Sequence, residues 1–460
     1  MISIIDSRVL DGNSESLGIP VSQLMDNAGK ALADALLSEF PESKFAFFCG
    51  TGNNGGDGFA AALRIDPDRA KVILLKKASS IRSDISRERY SVLECPIEIY
   101  GTHSTEGYDV IVDCVLGTGA SGTVKEPYRS CIDEINSSGL KIVSVDVPSG
   151  LGSDIAVVPD LTVTFHDVKE GMDGSNSGKI LVADIGIPDE ASTIVGPGDF
   201  LRYPIPNRGS HKGQNGKLMV IGGGPYYGAP VMSSLSAMRT GADYVRLFTP
   251  TSSSTIASMF SPVLMVTPTP GNEIGPESVE MLLKESENYD CVLIGPGLGS
   301  SSRTIDAVKA VIAGCDRPMV IDADAIRCLG TVTSVSDFAV TPHHREFSSI
   351  SDGKSVQDTA AKIGGTILLK GPEDVITDGK RTRLNKTGTP AMTSAGTGDV
   401  LAGCVAGLMS KGMSSFDACC LGSYMCGKAG EKAFEDMSYG LMATDVIDRI
   451  PRVLAENLKS

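Results

Sequence analysis

Residues 394–403 read SAGTGDVLAG and lead into the apolar run VLAGCVAGLM, which begins at Val400. Small residues and glycines at the start of an apolar helix leave backbone N–H groups free to face an anion. We expect the N–H groups of Gly396, Thr397 and Gly398 to form an anion hole for a transferring phosphoryl group. Asp399 stands where a base can take a proton from a substrate hydroxyl. The stretch predicts phosphoryl-transfer chemistry, with a plain tight turn as the alternative.

Short β-rich runs precede this stretch and alternate with helical segments, which predicts a mostly parallel sheet covered on both faces. The strand candidates of the second half are Lys217–Ile221, Tyr244–Leu247, Cys291–Ile294, Met319–Asp322, Phe338–Thr341 and Ile367–Lys370. Those of the first half are Phe45–Phe48, Val72–Leu75, Val110–Val115, Ile142–Val147, Leu161–Phe165 and Ile180–Ala183. Loops at the carboxyl ends of such strands are where ligands bind.

A stretch rich in Pro and Gly, residues 196–216, separates the two sets of strands. Such composition is typical of a connection between domains. We therefore expect two α/β domains: residues 1–204 as a Rossmann-like three-layer sandwich and residues 205–460 as a second domain with α/β/α layers.

The loop GTGNNGGDG, residues 50–58, directly follows the strand candidate KFAFFC. Its glycines allow a ligand to approach the backbone closely. Asn53 and Asn54 offer amide groups, and Asp57 can accept from a sugar hydroxyl or hold a cation. A helix is expected from Phe59 onward, so that its N-terminus faces a phosphate. A plain tight turn is the alternative.

Two more strand candidates end in polar loops, DCVLGTGASGT from Asp113 and VDVPSG with Asp146 and Ser149. Each Asp alone could simply cap a helix. Together, an amide oxygen, a carboxylate and a hydroxyl form an all-oxygen set, which hard cations prefer. The first half therefore predicts one crevice with room for a ligand and a cation.

GNNGGDG, DxxLGTG and VDVPSG, in this order and spacing, resemble the NAD(P)H-hydrate epimerase family over roughly residues 1–200. The resemblance implies a potassium site at Asn54, Asp113 and Ser149. It implies contacts to the hydrated cofactor at Asn53, Asn54, Gly55, Gly56, Asp57, Gly117, Thr118, Gly119, Ala120, Ser121, Gly122, Thr123 and Asp146. Lys169 matches a lysine that usually follows the next strand. Asp146 is the candidate acid/base, and a purely positioning contact is the alternative.

A second set of motifs spans residues 205–455: HKGQNGKLMVIGGG, GAPVMSS, GPGLG, DADAI, TPHHRE, LKGPEDV and NKTGTPAMTSAGTGD. Together they resemble the NAD(P)H-hydrate dehydratase family, whose fold is ribokinase-like. The resemblance implies contacts to the hydrated cofactor at Ala229, Gly297, His343 and Asp399, with His344 as a minor alternative to His343. It implies adenine-nucleotide contacts at Lys370, Gly371, Pro372, Glu373, Asp374 and Gly398.

With both sets present, the chain resembles the bifunctional NAD(P)H-hydrate repair enzyme family. The implied substrates are the hydrated cofactors NADHX and NADPHX, and ADP or ATP is the implied phosphoryl donor. K⁺ is implied in the epimerase domain, and Mg²⁺ would spread charge during phosphoryl transfer, in which Asp399 is the catalytic base. The sequence has no GxxxxGK[ST] loop, so the nucleotide site is expected to be of the Gly-rich kind.

The formal net charge of −15 argues against nucleic acid and anionic membranes as partners. No apolar run reaches the roughly 18–20 residues that span a bilayer. The 11 cysteines form no CxxC pattern, which favours buried, reduced thiols in a cytoplasmic protein. Exposed apolar helix faces in such folds favour a homo-oligomer. The alternative function is a ribokinase-like small-molecule kinase with a noncatalytic cofactor-binding domain in front.

Overall fold

The computed structural model describes residues 1–119, 122–331 and 337–458, which form two compact units, Met1–Ala191 and Ser192–Ser460. Residues 192–204, which we expect in the first domain from the sequence, belong to the second unit in the structure. Val195, Phe200 and Tyr203 are buried in the core of that unit. Apolar side chains in this Pro- and Gly-containing segment therefore make it part of a packed domain rather than a free linker.

The first unit is built on a seven-stranded, all-parallel sheet of order β3-β2-β1-β4-β5-β6-β7. Its strands are β1 (Phe45–Cys49), β2 (Ala70–Leu74), β3 (Ile97–Ile99), β4 (Val110–Cys114), β5 (Lys141–Val145), β6 (Leu161–Phe165) and β7 (Lys179–Ala183). Its helices are α1 (Ile4–Ser16), α2 (Val21–Glu39), α3 (Asn53–Ala62), α4 (Asp84–Ser91) and α5 (Tyr128–Ser137), and α6 (Asp189–Thr193) lies at the boundary. The central strands are buried along their whole length because helices cover both faces of the sheet.

The second unit contains a nine-stranded sheet of order β10-β9-β8-β11-β12-β13-β14-β15-β16. Pairing is parallel up to β14 and antiparallel for β14-β15 and β15-β16. The strands are β8 (Lys217–Ile221), β9 (Tyr244–Pro250), β10 (Met265–Thr269), β11 (Cys291–Ile294), β12 (Met319–Ile321), β13 (Phe338–Val340), β14 (Thr366–Leu369), β15 (Asp374–Thr377) and β16 (Thr382–Asn385). The helices are α7 (Gly228–Arg239), α8 (Thr251–Ser258), α9 (Val279–Ser286), α10 (Ser302–Gly314), α11 (His344–Ser348), α12 (Val356–Ile363), α13 (Thr397–Ser410), α14 (Ser415–Met437) and α15 (Ala443–Asn457).

Helix α13 is buried from Val400 to Ser410 and packs closely on α7. Glycines make this approach possible. A Cβ added at Gly403 would lie 2.2 Å from the Ser233 carbonyl oxygen, and one at Gly407 would lie 3.0 Å from the Ala237 Cα. The close contact fixes the start of α13, which carries Asp399, against the sheet.

The expected two-domain α/β architecture is therefore confirmed. In the described residues, no helix combines the length and apolarity needed to cross a bilayer. All 11 cysteines are buried.

Candidate functional site

The first candidate crevice lies at the carboxyl ends of β1, β4 and β5. Here α3 begins at Asn53, six residues before the expected start at Phe59, so the Asn-Gly stretch forms the first turns of the helix. Glycine is a poor helix former, but tertiary packing overrides this preference. A Cβ added at Gly55 would lie 2.1 Å from the Gly50 carbonyl oxygen, so only glycine lets the helix start pack against the end of β1.

Asp113, at the end region of β4, is fully buried and surrounded by donors. Its carboxylate accepts hydrogen bonds from the Ser144 hydroxyl at 2.8 Å and from the Ser149 hydroxyl and N–H at 2.5 and 2.9 Å. The Val115 N–H also donates, at 3.2 Å. Burial raises the pKa of Asp113 above its ordinary value, and these hydrogen bonds oppose the rise. A cation beside this carboxylate would offset the cost of its burial.

The three residues of the implied potassium site come together through the loop that follows β4. The Ser149 hydroxyl bonds Asp113 and also contacts both the N–H and the carbonyl of Leu116, at 2.7 and 3.0 Å. A Cβ added to the neighbouring Gly117 would lie 3.2 Å from Asn54 Cβ. The buried Asn54 amide nitrogen has no hydrogen-bond partner among the described residues. A buried carboxylate, a hydroxyl, a backbone carbonyl and the Asn54 amide oxygen are an all-oxygen ligand set, which fits K⁺, whereas the unpartnered Asn54 nitrogen is a donor and would not bind the ion.

Asp146 and Lys169 form an ion pair at the carboxyl ends of β5 and β6. Asp146 has a backbone φ of 65°, an uncommon conformation for a residue with a side chain. Lys169 is 1% exposed, and its ammonium also donates to the Thr164 hydroxyl at 3.1 Å and the Phe165 carbonyl at 2.6 Å. Because the ammonium is fully hydrogen-bonded, it holds the Asp146 carboxylate in one orientation facing the crevice edge.

Two further carboxylates interact electrostatically with this pair. Burial, followed by the charge of Asp146, raises the pKa of Asp57 well above its usual range. Burial and Asp146 likewise raise the pKa of Asp11 to about 6. Asp11 is therefore a candidate site residue that no motif indicated. Its helix α1 is held at this edge because Ile2 pairs with Lys169 as an isolated parallel bridge.

The rest of the implied cofactor contacts lie on the loop after β4. Gly117, Thr118 and Gly119 directly follow Leu116, whose backbone contacts Ser149, and Gly122 and Thr123 are exposed. Ala120 and Ser121 lie outside the described residues.

The second candidate site lies at the N-terminus of α13. Gly396 caps the helix with a φ of 96°, a left-handed conformation that favours glycine. The helix begins at Thr397, so the N–H groups of its first turn lack partners within the helix. Of the residues expected to form the anion hole, Gly396 is therefore the cap, and Thr397 and Gly398 lie in the first turn of α13 beside Asp399.

Lys370 and Asp322 meet at the same edge of the sheet. The Lys370 ammonium donates to the Asp322 carboxylate at 3.1 Å, and the Thr341 hydroxyl donates to it at 2.7 Å. Burial lowers the pKa of Lys370, but Asp322, Glu346 and Asp399 outweigh burial and raise it overall. Lys370 therefore stays charged, and a Cβ added at Gly398 would lie 3.3 Å from its ammonium. A fixed positive charge stands directly beside the start of α13.

Asp399 has a strongly shifted acidity. Burial is the main cause, the charge of Asp322 adds to it, and Lys370 opposes it, so that the pKa of Asp399 rises to about 7. A carboxyl with a pKa near the working pH is well suited to proton transfer. The DADAI motif supplies Asp322 to this network, a role that the sequence analysis did not assign.

His343 caps α11 with its side chain. Its Nδ1 accepts from the N–H groups of Arg345 and Glu346 at 3.1 Å each, while the Glu346 carboxylate accepts from the His343 N–H at 2.8 Å. This fixes Nδ1 as an acceptor and leaves Nε2 as the atom that can meet a ligand. His343 also pairs with Lys370 as an isolated parallel bridge, and the Lys370 N–H donates to the Pro342 carbonyl at 2.8 Å.

The implied nucleotide residues Lys370–Asp374 form the turn between β14 and β15. Asp374 braces this turn by accepting from the Gly371 N–H at 3.1 Å and from the Asn385 amide at 3.0 Å. Pro372 and Glu373 are exposed on it. A Cβ added at Gly371 would lie 3.6 Å from His344 Nε2, so the minor alternative histidine lies beside the turn.

The start of α7 completes this edge. The Ser233 hydroxyl donates to the carbonyls of both Ala229 and Asp399, at 3.2 and 3.0 Å, which ties the starts of α7 and α13 together. Gly297 has a φ of 71°, and a Cβ there would lie 2.0 Å from the Tyr226 carbonyl oxygen. The structure therefore brings Ala229 and Gly297 to the same edge of the sheet as Asp399.

Comparisons with known sequences match both units of the chain. A family model described as NAD(P)H-hydrate dehydratase matches residues 218–452, and one described as YjeF-related protein N-terminus matches residues 21–171. The bifunctional NAD(P)H-hydrate repair enzyme of Methanothermobacter thermautotrophicus is 41% identical over 98% of this chain and 94% of its own length. The chain belongs to the bifunctional NAD(P)H-hydrate repair enzyme family.

Other members of the family are similar over their full length. The enzyme of Pyrobaculum aerophilum is 38% identical over 98% of both chains, and that of Archaeoglobus fulgidus is 37% identical over 98% of both. Family membership favours the repair enzyme over the small-molecule kinase alternative.

The second unit also resembles solved structures. A ribokinase-like superfamily protein of Enterococcus faecalis superposes with a TM-score of 0.53 at 24% identity, covering 58% of this chain and 96% of that protein. A hypothetical protein of Streptococcus mutans gives a TM-score of 0.53 at 22% identity, covering 58% and 100%. This likeness confirms the ribokinase-like fold.

Proposed function

We propose that the chain repairs hydrated nicotinamide cofactors at two separate sites. The first unit interconverts the R and S epimers of NADHX and NADPHX. The second unit dehydrates the S epimer with ADP or ATP as phosphoryl donor, yielding the reduced cofactor, phosphate and AMP or ADP. The observation that carries this proposal is Asp399, whose pKa of about 7 suits a general base, at the open N-terminus of α13 beside Lys370.

In the dehydration, Asp399 takes the proton of the ring hydroxyl while that oxygen attacks the terminal phosphorus of the nucleotide. The bond from this phosphorus to the bridging oxygen breaks, and the N–H groups at the start of α13 stabilise the transferring phosphoryl group. Lys370 neutralises developing negative charge. The ring nitrogen then expels phosphate, and loss of a proton from the adjacent carbon restores the dihydronicotinamide.

Magnesium, when bound with the nucleotide, would spread the negative charge of its phosphates during transfer. The described residues hold no preformed cluster of three or more His, Cys, Asp or Glu for a metal ion. This agrees with an ion held mainly by phosphate oxygens and water, with one or two carboxylates completing the set. Glu346 and Asp322 are the carboxylates whose charge reaches Asp399, and they are the candidates.

In the epimerisation, Asp146 moves the proton while the hydroxyl leaves or the ring opens. Lys169 holds this carboxylate in place through the buried ion pair. Potassium at Asn54, Asp113 and Ser149 would order the loop after β4 against α3, because these residues lie on both sides of it. Asn53 to Asp57 and Gly117 to Thr123 then surround the hydrated cofactor.

We also propose that the chain works in the cytoplasm as a homo-oligomer. Eleven buried cysteines without a CxxC pattern suit a reducing compartment. Met259, Phe260 and Val263, after α8, are 81%, 56% and 63% exposed, and Tyr227 lies 6.2 Å from the Phe260 ring. Apolar side chains grouped in this way favour an interface between copies. Analytical ultracentrifugation of wild type and Phe260→Asp tests it, with dissociation of the variant expected and equal mass contradicting the proposal.

Separate site variants test the two activities. Each purified epimer is incubated with Asp399→Asn or Asp146→Asn, and the epimers and reduced cofactor are separated by chromatography. Asp399→Asn is expected to interconvert epimers without forming reduced cofactor. Asp146→Asn, given nucleotide, is expected to consume S and leave R. Loss of both activities in either folded variant would contradict two separate sites.

A further inference from the structure

The HKGQNG motif lies away from the site around Asp399. The motif borders a cavity of about 510 Å³ near the first residues of β8 and β9 and the loop that precedes β11. This cavity is lined by Lys212, Lys217, Tyr244, Arg246, Glu285 and Tyr289. Strands of a parallel sheet all begin at one edge, so this cavity is at the edge opposite Asp399. The five residues of β8 separate the two edges by about 16 Å. The volume is in the range of small-molecule sites, about 300–1,000 Å³.

Positive charge is concentrated in this cavity although the chain as a whole carries −15. Lys212, Lys217 and Arg246 line it against one lining carboxylate, that of Glu285. Within residues 1–119, 122–331 and 337–458, none of the three cations forms an ion pair. Cations grouped without partners repel one another, so a bound anion would relieve an existing cost.

Tyr244 holds two of these cations close together. The Lys212 ammonium and the Arg246 guanidinium lie 5.4 and 5.6 Å from the centre of its ring. Tyr244 and Arg246 are two residues apart on β9 and therefore point to the same face. Cation–π contacts orient a cation without neutralising its charge.

The loop of the motif brings Lys212 towards Lys217. Gly213 has a φ of 87°, and its N–H donates to the Asp243 carboxylate at 2.9 Å. A Cβ added at Gly213 would lie 3.0 Å from Lys217 Cε, so glycine lets the loop lie against this side chain. The glycine of the motif therefore keeps the two ammonium groups on one side of the cavity.

Arg246 also lacks an acceptor. Its Nε is buried and has no hydrogen-bond partner among the residues described. A buried donor of this kind is costly when unpaired, and a guanidinium matches phosphate oxygens in geometry. We propose that this cavity is a second ligand site, distinct from the dehydratase site, that binds a phosphate-bearing small molecule through Arg246, Lys212 and Lys217.

Isothermal titration of the full-length chain with inorganic pyrophosphate tests the proposal, with ADP present at saturation so that the nucleotide site is filled. One pyrophosphate per chain is expected to bind. Arg246→Gln or Lys212→Ala should weaken binding about tenfold, the loss expected for one charged hydrogen bond. Lys212 lies on an exposed loop, so its variant remains informative if Arg246→Gln does not fold. Lys284→Gln, an exposed charge on α9, is the matched control and should change binding less than about twofold.

A parallel titration with inorganic phosphate distinguishes two kinds of ligand, a polyphosphate and free phosphate. Tighter binding of pyrophosphate indicates a polyphosphate other than an adenine nucleotide, tighter binding of phosphate indicates the reaction product, and either result supports the site. Complete displacement by ADP would overturn the proposal, as would equal binding by all three variants. Absence of binding, or a second copy's carboxylate seated on Arg246 in a crystal structure, would also overturn it.

Discussion

Replacing Asp399 by Asn is expected to abolish dehydration and to stabilise the folded chain at about pH 8. Burial is the main cause that raises the pKa of this group from its ordinary value of 3.8 to about 7. At 1.36 kcal/mol per unit, a rise of about three units corresponds to about 4 kcal/mol. Asp399 is partly exposed, so solvent screens part of this cost, and we expect about 2 kcal/mol of stabilisation. For a unit of this size, the melting temperature should rise by about 4–8 °C.

The stabilisation by Asp399→Asn should be larger at high pH than at low pH. The folded-state pKa of Asp399 lies above the unfolded-state value, so its destabilising effect is complete above pH 7 and disappears below 3.8. Thermal melting of wild type, Asp399→Asn and the exposed control Asp316→Asn at about pH 8 and about pH 5 measures it. The gain of Asp399→Asn should fall by more than half at the lower pH. An equal gain at both pH values, or the same gain in the control, would refute the reasoning.

Three other outcomes are expected. In wild type, kcat/KM of dehydration should fall as pH drops through about 7, because Asp399 becomes protonated. Lys370→Met should move this fall to higher pH, because Lys370 lowers the pKa of Asp399. A pH profile that does not move would contradict Asp399 as the base. Replacing K⁺ by tetramethylammonium should lower both the melting temperature and the epimerisation rate of wild type, and should change neither quantity in Asp113→Asn. Equal changes in wild type and in the variant would exclude Asp113 as a potassium ligand. Gly403→Ala should cost about 1–3 kcal/mol in urea unfolding because its Cβ would overlap α7, whereas Gly440→Ala, with open space around it, should not.

The buried strands could be predicted from the sequence, but several edge strands could not. Leu161–Phe165 and Cys291–Ile294 were predicted with the bounds that the structure has, since continuous apolar runs mark buried parallel strands. The edge strands Ile97–Ile99 and Met265–Thr269, and the antiparallel Thr382–Asn385, were missed. They are partly exposed and carry polar residues, so their pairing depends on the finished sheet.

The residues of the candidate sites could also be predicted only in part. Asp399 lies in a motif whose chemistry is local, so the sequence indicates it, whereas Lys370 is implied only by the family resemblance of its motif. Asp11 could not be found this way, because it reaches Asp146 only through the folding of α1 against the end of β6. His343 is a predicted ligand contact, and the structure adds a capping role in which its Nδ1 accepts from the N–H groups of Arg345 and Glu346. That role depends on where α11 begins, which periodicity did not indicate.

The measurement that tests the central claim most directly is recovery of reduced cofactor from mixed NADHX epimers by two inactive variants combined. Asp399→Asn supplies only the epimerase site and Asp146→Asn only the dehydratase site. With ADP or ATP present, their mixture is expected to recover both epimers completely, while Asp146→Asn alone stops when the S epimer is consumed and Asp399→Asn alone recovers none. A mixture that also stops at the S epimer would contradict two independent, complementary sites.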